Sequence, residues 1–143
     1  MKNLLEIAIK IAVDAHSGQY DKAGQPYVLH PLKVMFALHN EKDKIVGVLH
    51  DVIEDTDITY DYLINHGFDG ETEILEALKS VTKQEDETYD QFIDRVVLNP
   101  IGIRVKLADL QDNMDLSRIA NPTERDFERI KRYERTKARL LQV

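Results

Sequence analysis

Residues 44–55 constrain the fold of this chain more than any other stretch, because four ionisable side chains fall within its last six residues while the rest of the segment is mostly apolar. In a helix each residue turns about 100° from the last, so these side chains fall on one arc of roughly 140° and the apolar ones on the remainder. Gly47 lies in the middle of the polar arc, where it leaves room for another group to approach. The pattern predicts a helix that buries its apolar side and presents one imidazole and three carboxylates, from His50, Asp51, Glu54 and Asp55.

The polar face of this helix has two interpretations. It is either a solvated acidic face that includes a histidine, or a site for a positive group. Three carboxylates beside an imidazole repel one another unless a cation lies among them. Glu54 follows His50 by one helical turn, and the opposite side of the same helix is apolar and would face the core. The pattern therefore favours a functional site, with a divalent cation as its simplest partner.

Length and composition exclude several classes of protein. A chain of 143 residues suits one domain, residues 1–143, and can bury a real core. Cysteine is absent, which excludes disulfides and thiolate chemistry and fits a cytoplasmic location. Glu6 comes too early for a secretory signal, and no apolar run approaches membrane-spanning length. The net charge of -7 argues against a broad nucleic-acid surface, so we expect neither a membrane nor a nucleic acid as partner.

Apolar residues recur at helical spacing through most of the chain. Residues 3–17 are apolar nearly all round and predict a central helix, whereas residues 18–30 contain two glycines and a proline and predict an ordered loop. Pro31 is expected to open the next helix, which places His30 at or next to its cap. Strand alternation is convincing nowhere, so we predict an all-α fold. Further helices are predicted from Thr59 to Gly67, over 70–83 and 88–98, from Asn99-Pro100, and from Asn121-Pro122 with Glu124.

The last predicted helix, residues 122–141, is highly charged. It carries seven Lys or Arg and four Asp or Glu. The pattern is typical of a solvated amphipathic helix that packs Phe127, Ile130, Leu140 and Leu141 inward, and this interpretation outweighs a partner-binding site.

Asp109 is a further residue whose context indicates a site, because it lies within the apolar segment 105–110. An unpaired carboxylate in apolar surroundings is costly. Its partner is either Lys106, three residues earlier on the same helical stripe, or a metal ion, with Asn113 facing the same cavity. With His30 and the histidine–aspartate pair above, Asp109 would complete two imidazoles and two carboxylates. Such a set suits Mn²⁺, Fe²⁺, Co²⁺ or Zn²⁺ and, with open positions for water, makes a hydrolytic centre.

The residues alone also suggest how such a centre would work. Glu54, one turn after His50, can reach a metal-activated water as general base, with Asp55 orienting that water or sharing the proton. Crowding beside Asp51 would raise one of the carboxylate pKa values, which suits a base that works near neutral pH. His16, on the apolar first helix, is expected to be a hydrogen-bonded structural histidine.

Four motifs, in order along the chain, resemble the HD-domain hydrolases of the RelA/SpoT family. They are G-Q-x-x-K-x-G-x-P-Y-x-x-H-P, L-H-D-V-x-E-D-T, V-T-K and K-L-A-D-x-x-x-N-M, and the likeness runs from about Ala12 to about Met114. The small stand-alone alarmone hydrolases of that family are closest in size. The resemblance implies a single bundle of about seven to eight short helices. It also implies one Mn²⁺ as cofactor and hydrolysis of the 3′-pyrophosphate from guanosine tetra- or pentaphosphate.

The resemblance further assigns roles by position. Glu54 and Asp55 would orient and deprotonate the attacking water, and Lys22 and Asn113 would contact the nucleotide. The metal ligands that it implies are His30, His50, Asp51 and Asp109.

The chain departs from the family pattern around the nucleotide. A basic residue is usual at Asp21 and at the position of Leu110, and a serine is usual at Ala23. Asp115 and Leu116 follow the asparagine–methionine pair where arginine and threonine are usual. These departures leave three functions open. The first is hydrolysis of the alarmone, and the second is hydrolysis of another phosphorylated nucleotide or of a dinucleotide cofactor. The third is binding of a nucleotide or metal by a regulator that does not turn over. The intact pair of Glu54 and Asp55 argues against the last.

Overall fold

In the computed structural model, which describes residues 3–117 and 119–143, the regular structure is helical. The part described contains an isolated bridge between Tyr20 and Pro26 but no β-strand, so the all-α prediction is confirmed. Seven of its helices have eight or more residues and two are single turns, in agreement with the predicted bundle of short helices. No described helix is both long and apolar enough to cross a membrane. The elements are α1 (Leu4–Ala15), α2 (Leu29–Phe36), α3 (Glu41–Leu49), α4 (Val52–Asp55), α5 (Tyr60–Leu63) with a π-helical turn (Ile64–Phe68), α6 (Thr72–Ser80), α7 (Tyr89–Val96), α8 (Pro100–Asn113) and α9 (Glu124–Leu141).

Helix α3 lies at the centre of the fold. It packs against α1, α2, α6 and α8, and residues 45–49 are all buried. The helix predicted over residues 3–17 is present as α1, but its predicted central place in the fold is wrong. Helix α1 buries one side, around Ala8, and leaves Val13 on the other side 42% exposed. Helix α8 joins the main core to a smaller one that it shares with α7 and α9, which sets its polar residues beside α2 and α3.

Side-chain caps begin several helices where the sequence predicts them. Thr59 and Asn99 each cap the following helix through a side-chain oxygen. Two starts differ from the prediction. Helix α2 begins at Leu29, before Pro31, because a proline in the first turn lacks only an N–H that would have no helical partner there. Helix α9 begins after Thr123, whose backbone N–H is capped by an aspartate carboxylate one turn later.

The single helix predicted over residues 44–55 is broken in two. Helix α3 ends before His50 and α4 begins after Asp51. The His50 Nδ1–H donates to the carbonyl oxygen of Gly47 at 2.6 Å, and this side-chain bond competes with the helical one. Gly47 does not lie on a polar face either. A Cβ there would meet Leu38 at 2.7 Å, so the glycine allows α3 to pack closely on α2.

The inward packing predicted for α9 is partly wrong. Leu140 is buried, but Phe127 is 52% exposed and Leu141 is 62% exposed. At about 100° per residue, Phe127 lies roughly 140° from Leu140 around the helix. Helix α9 therefore docks on α8 along a narrow stripe, which leaves most of its surface in solvent.

Candidate active site

Two imidazoles and two carboxylates meet between α2, α8 and the α3–α4 break. The Asp109 Oδ1 lies 2.9 Å from the His30 Nε2 and 3.2 Å from the His50 Nε2, and the Asp51 Oδ2 lies 3.1 Å from the His50 Nε2. His30, His50 and Asp109 are buried, and Asp51 is nearly so. The structure thus brings together all four predicted metal ligands, which we call the His/Asp cluster.

The His/Asp cluster has the donors of a divalent-metal site. One ligand atom each from His30, His50 and Asp51 lies within 4.8 Å of the others, and Asp109 contacts both imidazoles. Buried carboxylates need compensating positive charge. Protons on the two imidazoles supply it, and a divalent ion would supply the same two charges while leaving neutral imidazoles as ligands. The residues therefore fit a divalent cation.

The other nitrogen of each imidazole is also held. The His50 Nδ1 bonds to the Gly47 carbonyl, and the His30 Nδ1 bonds to the Asp112 Oδ2, both at 2.6 Å. Such partners fix the ring orientation of a metal-binding histidine and raise its basicity. Asp112 was not predicted from the sequence, although it lies one helical turn after Asp109.

Charges within the cluster drive the pKa values of its acids and bases apart. Burial would lower the pKa of His50, but the Asp51 and Asp109 carboxylates outweigh it and raise that pKa well above its usual value. Burial would also lower the pKa of His30, but hydrogen bonds to Asp109 and Asp112 outweigh burial and raise that pKa. Burial would raise the pKa of Asp51, but His50 lowers it to about 2. The pKa values therefore favour ion pairs between the imidazoles and the carboxylates, in which a bound cation would replace the imidazole protons.

Asp109 makes the ion pair of one interpretation of its sequence context and faces the imidazoles, as the other interpretation requires. Its Oδ2 accepts from the Lys106 Nζ at 2.9 Å, which is the predicted local ion pair. Its Oδ1 faces the imidazoles and also accepts from the Asn113 Nδ2 at 3.0 Å. Burial would raise the pKa of Asp109, but Lys106 and the imidazoles hold it well below its usual range. The salt bridge therefore supports the cluster and does not replace it.

Glu54 and Asp55 lie on the exposed side of the cluster, at the end of α4. The Glu54 Oε1 accepts from the backbone N–H of Lys83 at 3.1 Å, and the Asp55 carbonyl accepts from Gln19 at 3.0 Å. Partial burial, together with repulsion from Asp51, raises the pKa of both carboxyls. A carboxylate with a raised pKa, in reach of solvent, has the properties of a general base.

Tyr27 is a site residue that the sequence reasoning missed. Its hydroxyl donates to the Asp51 Oδ2 at 2.6 Å. Burial, followed by the Asp51 charge, raises the pKa of this hydroxyl, so it is a hydrogen-bond donor at neutral pH. The only indication in the sequence was its place in the P-Y-x-x-H motif, three residues before His30.

His16 is buried next to this tyrosine. Its Nδ1 bonds to the Gln19 Oε1 at 2.8 Å, and its ring centroid lies 5.1 Å from that of Tyr27. Its Nε2 is buried without a hydrogen-bond partner among the described residues. His16 is therefore hydrogen-bonded as predicted. Its partner Gln19 also donates to the backbone carbonyl of Asp55, so His16 supports that part of the site through Gln19.

The two predicted nucleotide contacts, Lys22 and Asn113, line one cavity of about 330 Å³, which we call the loop cavity. Tyr27 lines it too, so the cavity lies beside the His/Asp cluster. Helix α9 contributes Arg129 and Tyr133, which were not predicted because no local pattern relates them to the loop.

Two departures from the family pattern have structural explanations. The Asp21 Oδ1 accepts from the backbone N–H groups of Ala23 and Gln25, both at 2.9 Å, so this carboxylate stabilises the loop. Leu110 is fully buried in the small core between α7 and α9. The leucine that this chain has in place of a basic residue therefore packs in the core, and it does not line the loop cavity.

Several curated proteins are similar to this chain in sequence. A guanosine-3′,5′-bis(diphosphate) 3′-pyrophosphohydrolase from Borreliella burgdorferi is 40% identical over 83 residues, which cover 55% of this chain and 12% of the relative. The enzyme of that name from Haemophilus influenzae is 35% identical over 116 residues, or 73% of the chain and 17% of the relative. The bifunctional (p)ppGpp synthase/hydrolase SpoT of Escherichia coli is 32% identical over 122 residues, which cover 77% of this chain and 17% of the relative. The chain thus spans less than a fifth of the length of these relatives. No protein-family model matches it.

A solved structure shares the fold. It is a metazoan ortholog of SpoT that hydrolyses ppGpp, and it superposes with a TM-score of 0.76 over 99% of this chain and 86% of that chain. The sequence identity is 19%, so this likeness establishes the shared fold alone.

Proposed function

We propose that the chain is a RelA/SpoT-type hydrolase, a metal-dependent enzyme that removes the 3′-pyrophosphate from guanosine tetra- or pentaphosphate. The observation that carries the proposal is the His/Asp cluster beside two exposed carboxylates with raised pKa values. Relatives that the chain matches in sequence have this activity in their names.

The proposed metal ligands are His30, His50, Asp51 and Asp109. Two nitrogen and two oxygen donors suit Mn²⁺ better than Mg²⁺, which prefers oxygen ligands and retained waters. A divalent ion held there would supply Lewis-acid activation of the attacking water and of the phosphoryl group.

Glu54 is the proposed general base. Its carboxylate is held by the Lys83 backbone N–H, and its raised pKa favours accepting a proton from water near neutral pH. Asp55, anchored through its carbonyl by Gln19, would orient that water. Tyr27 would hold the Asp51 carboxylate in place by donating to it.

Lys22 and Asn113 are the proposed nucleotide contacts, and Arg129 adds a second cation to the loop cavity. Phosphate oxygens are bound well by charge-assisted hydrogen bonds from such groups. The cavity adjoins the cluster through Tyr27, so a nucleotide bound there would lie beside the proposed metal ligands.

A second candidate substrate is another phosphorylated nucleotide or a dinucleotide cofactor. The observation in its favour is that Asp21 and Asp115 line the loop cavity, where the family pattern has basic residues. Two carboxylates there would weaken the binding of a highly phosphorylated nucleotide relative to a less charged one.

The test is a panel of phosphorylated nucleotides incubated with the protein after chelation and again after Mn²⁺ is restored. We expect pyrophosphate release from guanosine tetraphosphate with Mn²⁺, little with Mg²⁺ and none after chelation, with Asp51→Asn as the inactive control. Efficient cleavage of a different nucleotide alone would favour the second candidate, and no cleavage of any of them would remove the enzymatic proposal.

A further inference from the structure

Helix α9 forms a basic surface next to the loop cavity. A shallow basin of about 610 Å³ lies along it, which we call the α9 basin. Five cationic side chains line the basin against one carboxylate, that of Glu128. The cationic residues are Arg125, Arg129, Lys131, Arg132 and Arg135.

Most of these cations lack a carboxylate partner. Among the described residues, Arg125, Lys131 and Arg135 form no ion pair, although α9 also carries acidic residues. The Arg132 guanidinium lies 4.9 Å from the centroid of the Tyr89 ring, which holds the side chain but leaves its charge uncompensated. A solvated helix that is stabilised by its own charge pairs would place opposite charges together. The basin is instead a predominantly cationic patch.

The basin and the loop cavity are neighbours. Arg129 lines both of them. Tyr133 lines the loop cavity, and Arg132 packs against its ring at 5.5 Å from the centroid. A phosphorylated molecule could therefore move from one site to the other without leaving a cationic side chain.

The acidity of the rest of the protein makes such a surface useful. The chain has a net charge of -7, and the proposed centre has carboxylates at Asp51, Glu54 and Asp55. An anionic substrate approaching from most directions is repelled. A local reversal of sign beside the loop cavity raises the local concentration of an anion and its rate of association.

We propose that the α9 basin binds the phosphates of the incoming nucleotide and guides it into the loop cavity. The proposal rests on the proposed function in that it requires a polyphosphorylated ligand. The basin would act before the chemical step, so it should affect association and leave the rate of hydrolysis in the bound complex unchanged.

The first experiment compares two triple variants in hydrolysis of guanosine tetraphosphate with Mn²⁺. Arg125→Gln/Lys131→Gln/Arg135→Gln removes three basin charges, and Lys10→Gln/Lys42→Gln/Lys44→Gln removes the same charge from α1 and α3. At low ionic strength we expect kcat/KM to fall about tenfold in the basin variant and less than about twofold in the control, with kcat unchanged in both. The difference should close as salt screens the charges. Equal effects in the two variants, or a loss confined to kcat, would overturn the proposal.

The second experiment does not depend on hydrolysis. Inorganic tripolyphosphate is titrated calorimetrically into the metal-free wild type and into both triple variants, after circular dichroism has shown that each is folded. We expect a binding isotherm in the wild type and the control that weakens about tenfold or more in the basin variant. Identical isotherms would overturn the proposal even if the wild type hydrolyses the nucleotide. Loss of binding in the basin variant alone would support it even if the proposed substrate is wrong.

Discussion

The His/Asp cluster and the loop cavity, although adjacent, differ in how firmly their side chains are held. The cluster takes its residues from packed helices, and each imidazole is bonded at both ring nitrogens. The loop cavity takes several of its residues from the largely exposed stretch 20–23 and from one face of α9. Lys22 there is exposed. A change in the cluster disturbs buried charges, whereas a change in the cavity disturbs mainly solvated ones.

This difference explains where the chain keeps and where it loses the family pattern. Each residue of the cluster is constrained by several partners, so substitution would leave a buried charge uncompensated. The cavity tolerates Asp21 because its carboxylate caps the loop that carries it. We infer that the chemistry of this domain is more constrained than its choice of nucleotide.

The largest expected effect comes from Glu54→Gln, which keeps the shape of the side chain but removes the base. Turnover should fall by roughly 10²- to 10⁴-fold while metal and nucleotide still bind. Rates at saturating Mn²⁺, with calorimetric metal binding, would measure this. Asp57→Asn, an exposed carboxylate nearby, is the control and should change little. Near-normal turnover of Glu54→Gln would make Asp55 the candidate base.

A smaller effect is expected on metal affinity when the support of the cluster is weakened. Asp112→Asn keeps a hydrogen-bond acceptor for the His30 Nδ1 but removes its charge. Loss of such a partner typically weakens metal binding by about 10- to 100-fold. Titration of Mn²⁺ into this variant, with Asp57→Asn again as control, measures the change. Unaltered affinity would show that Asp112 does not tune the imidazole.

The pH dependence of turnover tests the acid pair. Since the pKa values of Glu54 and Asp55 are raised, the base becomes protonated as the pH falls through a value above the usual 4.5 of a glutamate. Below that point turnover should fall about tenfold per pH unit, and above it should level off. The profile is measured with metal held saturating. An acid limb that persists unchanged in Glu54→Gln would assign it to another group.

The smallest effect is expected in the loop cavity. Asp21→Asn keeps the Oδ1 that caps Ala23 and Gln25 but removes a negative charge. We expect kcat/KM for guanosine tetraphosphate to rise about three- to tenfold, as one charge near an exposed anion allows. Asp21→Arg would add a cation but lose both loop hydrogen bonds. Its kcat/KM should therefore rise by less than the change in charge alone would produce. A fall in kcat/KM for Asp21→Asn would show that the carboxylate itself contacts the nucleotide.

The sequence predicted the helices and the members of the cluster because both leave local patterns. Apolar spacing indicates a helix, and a buried aspartate such as Asp109 indicates a partner. It did not predict the break between α3 and α4, because the bond from His50 to the Gly47 carbonyl depends on the position of the imidazole in the folded site.

Contacts between residues that are far apart along the chain could not be predicted from the sequence either. Arg129 reaches the loop cavity because α9 returns to pack on α8, and no spacing within the chain relates it to Lys22. Phe127 was expected inside because an apolar residue in an amphipathic pattern is usually buried. Its exposure depends on the angle at which α9 docks, which the pattern does not determine.

The proposed metal centre is tested most directly by titrating Mn²⁺ into the metal-free protein and following the titration by electron paramagnetic resonance. We expect one saturable site per chain with hyperfine coupling to two imidazole nitrogens, from His30 and His50, and loss of that site in Asp51→Asn. Saturable binding without nitrogen coupling, or an unchanged site in Asp51→Asn, would contradict the assignment of the His/Asp cluster as the metal centre.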